Sequence, residues 1–108
     1  MSTHLERKYQ AHVIAELHKR MPGCVVLKND ANYMPGIPDL IILFGLHWGM
    51  LEVKTSAYAS KEPNQEYYVQ TLGEMSYVAI IYPENEEDVL YELQSTLQSC
   101  RDACILES

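Results

Sequence analysis

Apolar residues recur along this chain with two different periods, and these periods predict its elements. Helical spacing, in which apolar residues lie three or four positions apart, occurs over residues 3–21 and 63–73. The same spacing at Val89, Leu93 and Leu97 predicts a last helix, which together with a tail after Cys100 makes up residues 84–108. Short β-branched or alternating runs predict strands at residues 24–28, 38–44, 48–54 and 76–82. The resulting order, α-β-β-β-α-β-α, predicts an α/β fold with one mixed sheet flanked by helices.

Two of the predicted strands form a hairpin that carries the charged residues of most interest. The strand at 38–44 is apolar on both faces after Asp39, which predicts a central strand covered on each side. On the strand at 48–54, alternation places Glu52 and Lys54 on one face. Because the start of one antiparallel strand meets the end of the next, Asp39, Glu52 and Lys54 are predicted to meet at one end of the sheet.

Two carboxylates and an ammonium group at the end of a sheet suit phosphoryl chemistry. Mg²⁺ is bound by one or two carboxylates, with water and phosphate oxygens completing its shell. Each residue also has a purely structural interpretation: Asp39 as a strand-start aspartate, and Glu52 with Lys54 as a solvated pair. The rest of that strand face is apolar, so solvent alone explains the two charges poorly and the combination favours a metal site.

Size and charge set limits on the kind of protein. A chain of 108 residues is expected to form a single domain, residues 1–108, and it has no apolar run long enough to cross a bilayer. The net charge of −7 divides into +2 over residues 1–61 and −9 over residues 62–108. A local basic region beside a metal site is compatible with DNA. Three cysteines without metal-type spacing predict reduced thiols and a cytoplasmic protein.

One pattern in the hairpin is similar to a known nuclease signature. Pro38 and Asp39, followed thirteen positions after Asp39 by Glu52, Val53 and Lys54, resemble the PD-(D/E)XK nuclease superfamily. Three neighbouring features resemble its compact VRR-NUC branch, in particular small stand-alone phage or bacterial members: the stretch 36–41 (GIPDLI), Gln65-x-x-Tyr68 on the next helix, and Glu6 on the first. The resemblance covers residues 3–82 and implies a restriction-endonuclease-like core, with residues 84–108 as an added helix and tail.

The resemblance implies a set of metal ligands. Asp39 and Glu52 would hold Mg²⁺, for which Mn²⁺ would substitute, and the backbone carbonyl of Val53 would be a third ligand. Glu6 would reach the ion directly or through a water molecule. An equally good interpretation makes Glu6 part of a helix capping box with Thr3, and the two roles are compatible.

The resemblance also implies a catalytic set: Asp39, Glu52, Lys54 and Gln65. Lys54 would orient the attacking water or offset charge on the phosphorane-like transition state. Gln65 lies in the first turn of its helix, on the same stripe as Tyr68, and would hydrogen-bond the water or position Lys54.

Contacts with the DNA backbone are predicted for residues on or beside two loops. Lys28, Asn29, Asn32 and Tyr33 belong to the loop that leads into Asp39, and Lys61 belongs to the loop after Lys54. For any one of these residues a solvated loop is the alternative. The function that the resemblance implies is a metal-dependent DNA endonuclease that acts as a homodimer on branched DNA such as four-way (Holliday) junctions, in a host cytoplasm if a phage encodes it, with no membrane partner. The alternatives are a restriction-like or repair nuclease subunit that takes its specificity from another chain, and a non-catalytic nuclease-fold DNA-binding module.

Overall fold

A computed structural model describes residues 3–60 and 63–107 and has the predicted α/β architecture. Its elements are α1 (His4–Arg20), β1 (Val25–Lys28), β2 (Leu40–Phe44), β3 (His47–Val53), α2 (Pro63–Gly73), β4 (Tyr77–Ile81) and α3 (Glu86–Glu107). A single 3₁₀ turn, Pro83–Asn85, leads into α3. The order α-β-β-β-α-β-α is therefore confirmed. The predicted bounds of the four strands and of the first two helices differ from the observed bounds by at most two residues.

The four strands form one mixed sheet in the order β1-β2-β3-β4. β1 and β2 are antiparallel, as are β2 and β3, whereas β3 and β4 are parallel. The parallel pair is connected through α2, as expected because parallel neighbours need a crossover connection. The β2–β3 hairpin turns through only two residues, Gly45 and Leu46, and Gly45 supplies the positive φ of 64° that such a turn requires.

One face of the sheet is covered by α1 and α3. These helices contribute buried residues such as Val13, Leu17 and Leu93 to a core that includes Leu40 and Leu51 from the sheet. α1 begins where the hydroxyl oxygen of Thr3 accepts a hydrogen bond from the backbone N–H of Glu6 at 3.1 Å. This satisfies one of the N–H groups that a helix start leaves without a partner.

The other face of the sheet is covered only in part, because α2 packs mainly over β4. The register aligns six apolar side chains on this face in two cross-strand rows, Val25–Leu43–Trp48 and Leu27–Ile41–Met50, which we name the apolar sheet face. Val25 and Leu27 are 48% and 49% exposed. β2 is a central strand of the sheet, as predicted. Its cover is complete on the face of Leu40, Ile42 and Phe44 and only partial on the other face, where Ile41 and Leu43 are half-buried.

A groove of about 480 Å³ separates the apolar sheet face from α2 and is lined entirely by apolar and aromatic residues. The lining residues are Met34, Ile37, Ile41, Leu43, Trp48, Met50, Tyr68 and Leu72. At one end of the sheet, the loop before β2 meets the first turn of α2. Gly36 has a φ of +90° there, and a Cβ on it would lie 2.4 Å from the Cβ of Asn64, so only glycine permits this approach.

Candidate active site

The ladder between β2 and β3 sets the two candidate carboxylates opposite each other. The last paired residues are Leu40 and Leu51, and one position further the same register brings Asp39 opposite Glu52. Directly opposed residues in a sheet share a face and lie close together. Asp39 and Glu52 thus continue the two apolar rows as a third, polar row at the end of the sheet.

Hydrogen bonds from β1 and β3 fix Asp39. Its Oδ2 accepts a hydrogen bond from the backbone N–H of Val53 at 2.8 Å. Asn29, which follows β1, donates its backbone N–H to the carbonyl of Asp39 and its side-chain Nδ2 to the carbonyl of Pro38, both at 2.8 Å. Because the N–H and C=O of a strand residue point to the same side, the carbonyl of Val53 also lies on the side of Asp39.

Glu52, Lys54 and Gln65 form a closed hydrogen-bonded triangle. Lys54 Nζ donates to Gln65 Oε1 at 2.8 Å and lies 3.3 Å from Glu52 Oε2. Gln65 Nε2 in turn donates to the same Glu52 oxygen at 3.0 Å. Gln65 therefore holds the ammonium and carboxylate groups in register from the first turn of α2, in the position that helical periodicity predicts.

The second oxygen of Glu52 lacks a hydrogen-bond partner. Glu52 is 1% exposed and Lys54 is 8% exposed, and within the described part of the chain Glu52 Oε1 is the buried side-chain oxygen left without a hydrogen bond. Leaving a buried carboxylate oxygen unpaired is costly, so an orphaned atom of this kind calls for an explanation.

Burial and a neighbouring carboxylate raise the pKa of both carboxyl groups. Desolvation, followed by the charge of Asp39, raises the pKa of Glu52 to about 7, although Lys54 opposes the shift. Desolvation and then the charge of Glu6 raise the pKa of Asp39, against the hydrogen bond from Val53. Buried carboxylates that lie close together are stabilised when one of them takes up a proton or when a cation binds between them.

Glu6 extends this carboxylate group from α1. Its backbone N–H donates to the Thr3 hydroxyl, which is one half of the predicted capping box, while its side chain lines the same cleft as Asp39 and Glu52. Its charge acts on Asp39 strongly enough to raise the pKa of that group. The cap uses the backbone of Glu6, so the carboxylate remains available to the cleft.

The cleft has a volume of about 670 Å³ and gathers residues from α1, from the loop after β1, from the ends of β2 and β3, and from α2. It is lined by Glu6, Arg7, Gln10, Lys28, Asn29, Asp30, Ala31, Asn32, Pro35, Gly36, Ile37, Asp39, Glu52, Lys54 and Gln65. Sequence reasoning missed Arg7 and Gln10. The helical spacing from Glu6 to Gln10 was the available signal, since residues four apart share a helix face.

The predicted DNA-contact residues divide into three groups. Lys28, Asn29 and Asn32 line the cleft, although the side chain of Asn29 is already bonded to Pro38. Tyr33 is 83% exposed and does not line the cleft. Lys61 lies outside the described residues.

A different carboxylate cluster lies between α1 and α3. Glu16, Glu86 and Glu87 have oxygens within 4.8 Å of one another, the one such group found within the described residues. Arg20 donates to both oxygens of Glu87 at 2.8 and 2.9 Å and lies 3.6 Å from Glu16, and His12 lies 3.0 Å from Glu86. These ion pairs account for the cluster without a metal.

Comparison of the structure with solved proteins gives a match to a VRR_NUC domain. The match has a TM-score of 0.67 at 15% identity and covers 82% of this chain and 97% of that domain. The chain has the VRR_NUC fold. No family model and no curated protein matches the chain by sequence.

The VRR_NUC fold is the fold that the motif led us to expect. The match extends over four fifths of the chain, so the fold is not limited to the hairpin that carries the motif. Within the parts that the structure describes, no helix is both long enough and apolar enough to cross a membrane.

Proposed function

We propose that this chain is a Mg²⁺-dependent endodeoxyribonuclease, in which Mn²⁺ substitutes for Mg²⁺. The observation that carries the proposal is the buried Glu52 carboxylate, opposite Asp39 at the wall of the cleft, with one oxygen that has no protein partner. A divalent cation would supply that partner and would favour the ionised carboxylates, whose pKa values are raised by burial and by neighbouring carboxylates.

The donor set suits a hard cation. Asp39 and Glu52, the Val53 carbonyl and, directly or through water, Glu6 would hold the ion, and all four offer oxygen. When bound, such an ion supplies Lewis-acid polarisation of a phosphodiester and lowers the pKa of a bound water.

Lys54 and Gln65 would provide the remaining chemistry. The Lys54 ammonium is nearly buried yet reaches the cleft, where it would offset negative charge that develops on the phosphate or orient the attacking water. Gln65 bonds both Lys54 and Glu52, so it limits the positions that the ammonium can occupy before DNA arrives. An ammonium group held in this way is expected to stabilise the transition state more than an equally charged but mobile side chain would.

DNA would follow the cleft, which Arg7, Lys28 and Asn32 line. Tyr33 and Lys61 would make further contacts with the DNA backbone. These side chains would bind phosphates and so fix position without reading sequence. A chain of this size is too small to enclose a duplex, which favours recognition of shape.

The finer proposal is cleavage of branched DNA, such as a four-way junction, by a homodimer in the cytoplasm. Two sites related by a twofold axis suit a symmetric junction, because paired nicks need paired sites. The complete set of Asp39, Glu52, Lys54 and Gln65 favours an active enzyme over a non-catalytic binding module, in which at least one member would be expected to be lost.

The test is a cleavage assay on four-way, flap and linear DNA with Mg²⁺, Mn²⁺ or EDTA. We expect cleavage with either metal, none in EDTA, and a loss of about 100-fold or more for Lys54→Ala, whereas Lys8→Ala, an exposed cation outside the cleft, keeps full activity. Cleavage that persists in EDTA or in Lys54→Ala would overturn the mechanism. Equal rates on linear and four-way DNA would overturn the preference for junctions.

A further inference from the structure

We infer that Asn29 is a positioning residue for Asp39, which acts by holding the backbone that carries the Asp39 carboxylate. The inference deepens the proposed function and rests on it for the role of Asp39 as a metal ligand. It gives Asn29 a role different from the contact with DNA that the sequence predicts for this residue. Asn29 itself would not touch the ion.

Asp39 lies where the strand alone gives it little support. β2 begins at Leu40, so Asp39 is the residue just before the strand. It follows Pro38, which has no N–H group to donate, at the end of a loop that begins at residue 29. Backbone at the end of a strand opens more readily than backbone in its middle, whereas a metal ligand must be held to within about 0.5 Å. A further contact is therefore needed to hold this backbone.

Asn29 supplies that contact with two donors. Its backbone N–H donates to the carbonyl of Asp39 and its side-chain Nδ2 donates to the carbonyl of Pro38, each at 2.8 Å. The first bond extends the antiparallel ladder of β1 and β2 one position beyond its last pair, Lys28 with Leu40. The second bond is the contribution of the asparagine side chain, since any residue except proline could make the first. Two consecutive carbonyl groups are thus bonded to one residue.

The side chain of Asp39 is held by the neighbouring strand on its other side. Its Oδ2 accepts a hydrogen bond from the backbone N–H of Val53, in β3, at 2.8 Å. This bond directs the carboxylate toward Glu52 only if the backbone of Asp39 keeps its place between β1 and β3. Asn29 fixes the backbone and Val53 fixes the carboxylate, so we expect loss of the first contact to weaken the second.

Burial distinguishes Asn29 from the other asparagine of the same loop. Both Asn29 and Asn32 line the cleft. Asn29 is half-buried and its amide is bonded to the backbone, whereas Asn32 is exposed. An exposed amide suits contact with a phosphate, and a half-buried amide bonded to the Pro38 carbonyl suits a link between the base of the loop and Asp39.

The experiment measures the Mn²⁺ affinity of the protein without DNA, from the electron paramagnetic resonance signal of free Mn²⁺. Asn29→Ala removes the side-chain donor and keeps the backbone N–H. It is expected to weaken Mn²⁺ binding by about tenfold or more, because losing a group that orients a metal ligand typically costs about 10- to 100-fold in affinity.

Asn85→Ala is the matched control for this measurement. Asn85 is also half-buried and donates its Nδ2 to a backbone carbonyl, that of Ile80, at 3.0 Å, but it does not line the cleft. This variant loses a bond of the same kind and should bind Mn²⁺ like the wild type. Melting curves in EDTA verify that each variant folds, and Asn29→Ser, which removes the same amide, replaces Asn29→Ala if the latter does not fold.

A second measurement detects the position of Asp39 without metal. The exchange of the Val53 N–H with solvent deuterium, followed by NMR in EDTA, reports on its hydrogen bond to Asp39. This exchange is expected to be faster in Asn29→Ala than in the wild type or in Asn85→Ala.

Unchanged Mn²⁺ affinity or unchanged Val53 exchange in folded Asn29→Ala would contradict the inference, and so would equal weakening of Mn²⁺ binding by Asn85→Ala. A loss of DNA affinity in EDTA at unchanged Mn²⁺ affinity would make Asn29 a DNA contact instead. A wild type that binds no Mn²⁺ would refute both the inference and the proposed function. A wild type that binds Mn²⁺ more tightly than Asn29→Ala but cuts no DNA would refute only the nuclease proposal.

Discussion

Removing the charge of Glu52 should make the metal-free protein more stable at alkaline pH. The wild-type carboxylate is nearly inaccessible, has one oxygen without a partner and faces Asp39. Glu52→Gln keeps the size of the side chain and an oxygen that can accept from Lys54, but it removes the buried charge. A residue evolved only for stability would be expected to give the opposite result.

The size and sign of the effect follow from the pKa of Glu52. Its value rises from 4.5 to about 7 on folding, so the protonated group stabilises the folded state fully below 4.5, and this stabilisation is lost as the pH rises through 7. Between pH 5 and pH 8 the wild type should lose about 2 to 3 kcal/mol of unfolding free energy relative to Glu52→Gln.

The assay is urea unfolding of both proteins in EDTA at several pH values from 5 to 8, with the difference in unfolding free energy plotted against pH. A difference that is constant over this range would refute the claim that burial raises the pKa of Glu52. Adding Mg²⁺ at pH 8 should stabilise the wild type by more than it stabilises Glu52→Gln, because the ion binds the ionised carboxylate.

Two further predictions use matched controls. Gly36→Ala should cost about 2 kcal/mol or more of stability, whereas Gly23→Ala, which has a similar φ of +92° but nothing within 4 Å of its added Cβ, should cost only the backbone strain of about 1 kcal/mol. Thermal melts measure both variants, and equal losses would contradict the close contact with Asn64. Arg7→Ala should weaken DNA binding and reduce the slope of log affinity against log salt by about 1, whereas Lys8→Ala should weaken binding less. Fluorescence anisotropy over a salt series measures this slope, and an unchanged slope for Arg7→Ala would remove Arg7 from the DNA path.

The element order and the meeting of the candidate site residues could be predicted from the sequence because they depend on local patterns. Alternation fixed the shared face of Glu52 and Lys54, and antiparallel pairing brought Asp39 to them. Helical spacing put Gln65 toward the same place, where the structure finds it bonded to Lys54.

Features that depend on packing between distant elements could not be predicted. The sequence of β2 is apolar on both sides. Nothing in it reveals that α2 packs mainly against β4 and so leaves Ile41 and Leu43 partly uncovered. Arg7 was missed for a similar reason, since its place in the cleft depends on how α1 crosses the end of the sheet. The double hydrogen bond from Asn29 to the Pro38–Asp39 backbone likewise needs coordinates.

The two-residue hairpin turn at Gly45 and Leu46 has a consequence for how this chain tolerates changes in length. The length of the turn sets the register between β2 and β3. This register alone decides whether the side chains of Asp39 and Glu52 lie opposite each other on the same face of the sheet. An insertion of one residue in the turn that slipped the pairing by one position would rotate one of the two carboxylates to the opposite surface of the sheet, beneath α1 and α3. We therefore expect hairpin length to be as strictly maintained as the acidic residues themselves, although the turn lies at the far end of the strands and neither of its residues lines the cleft.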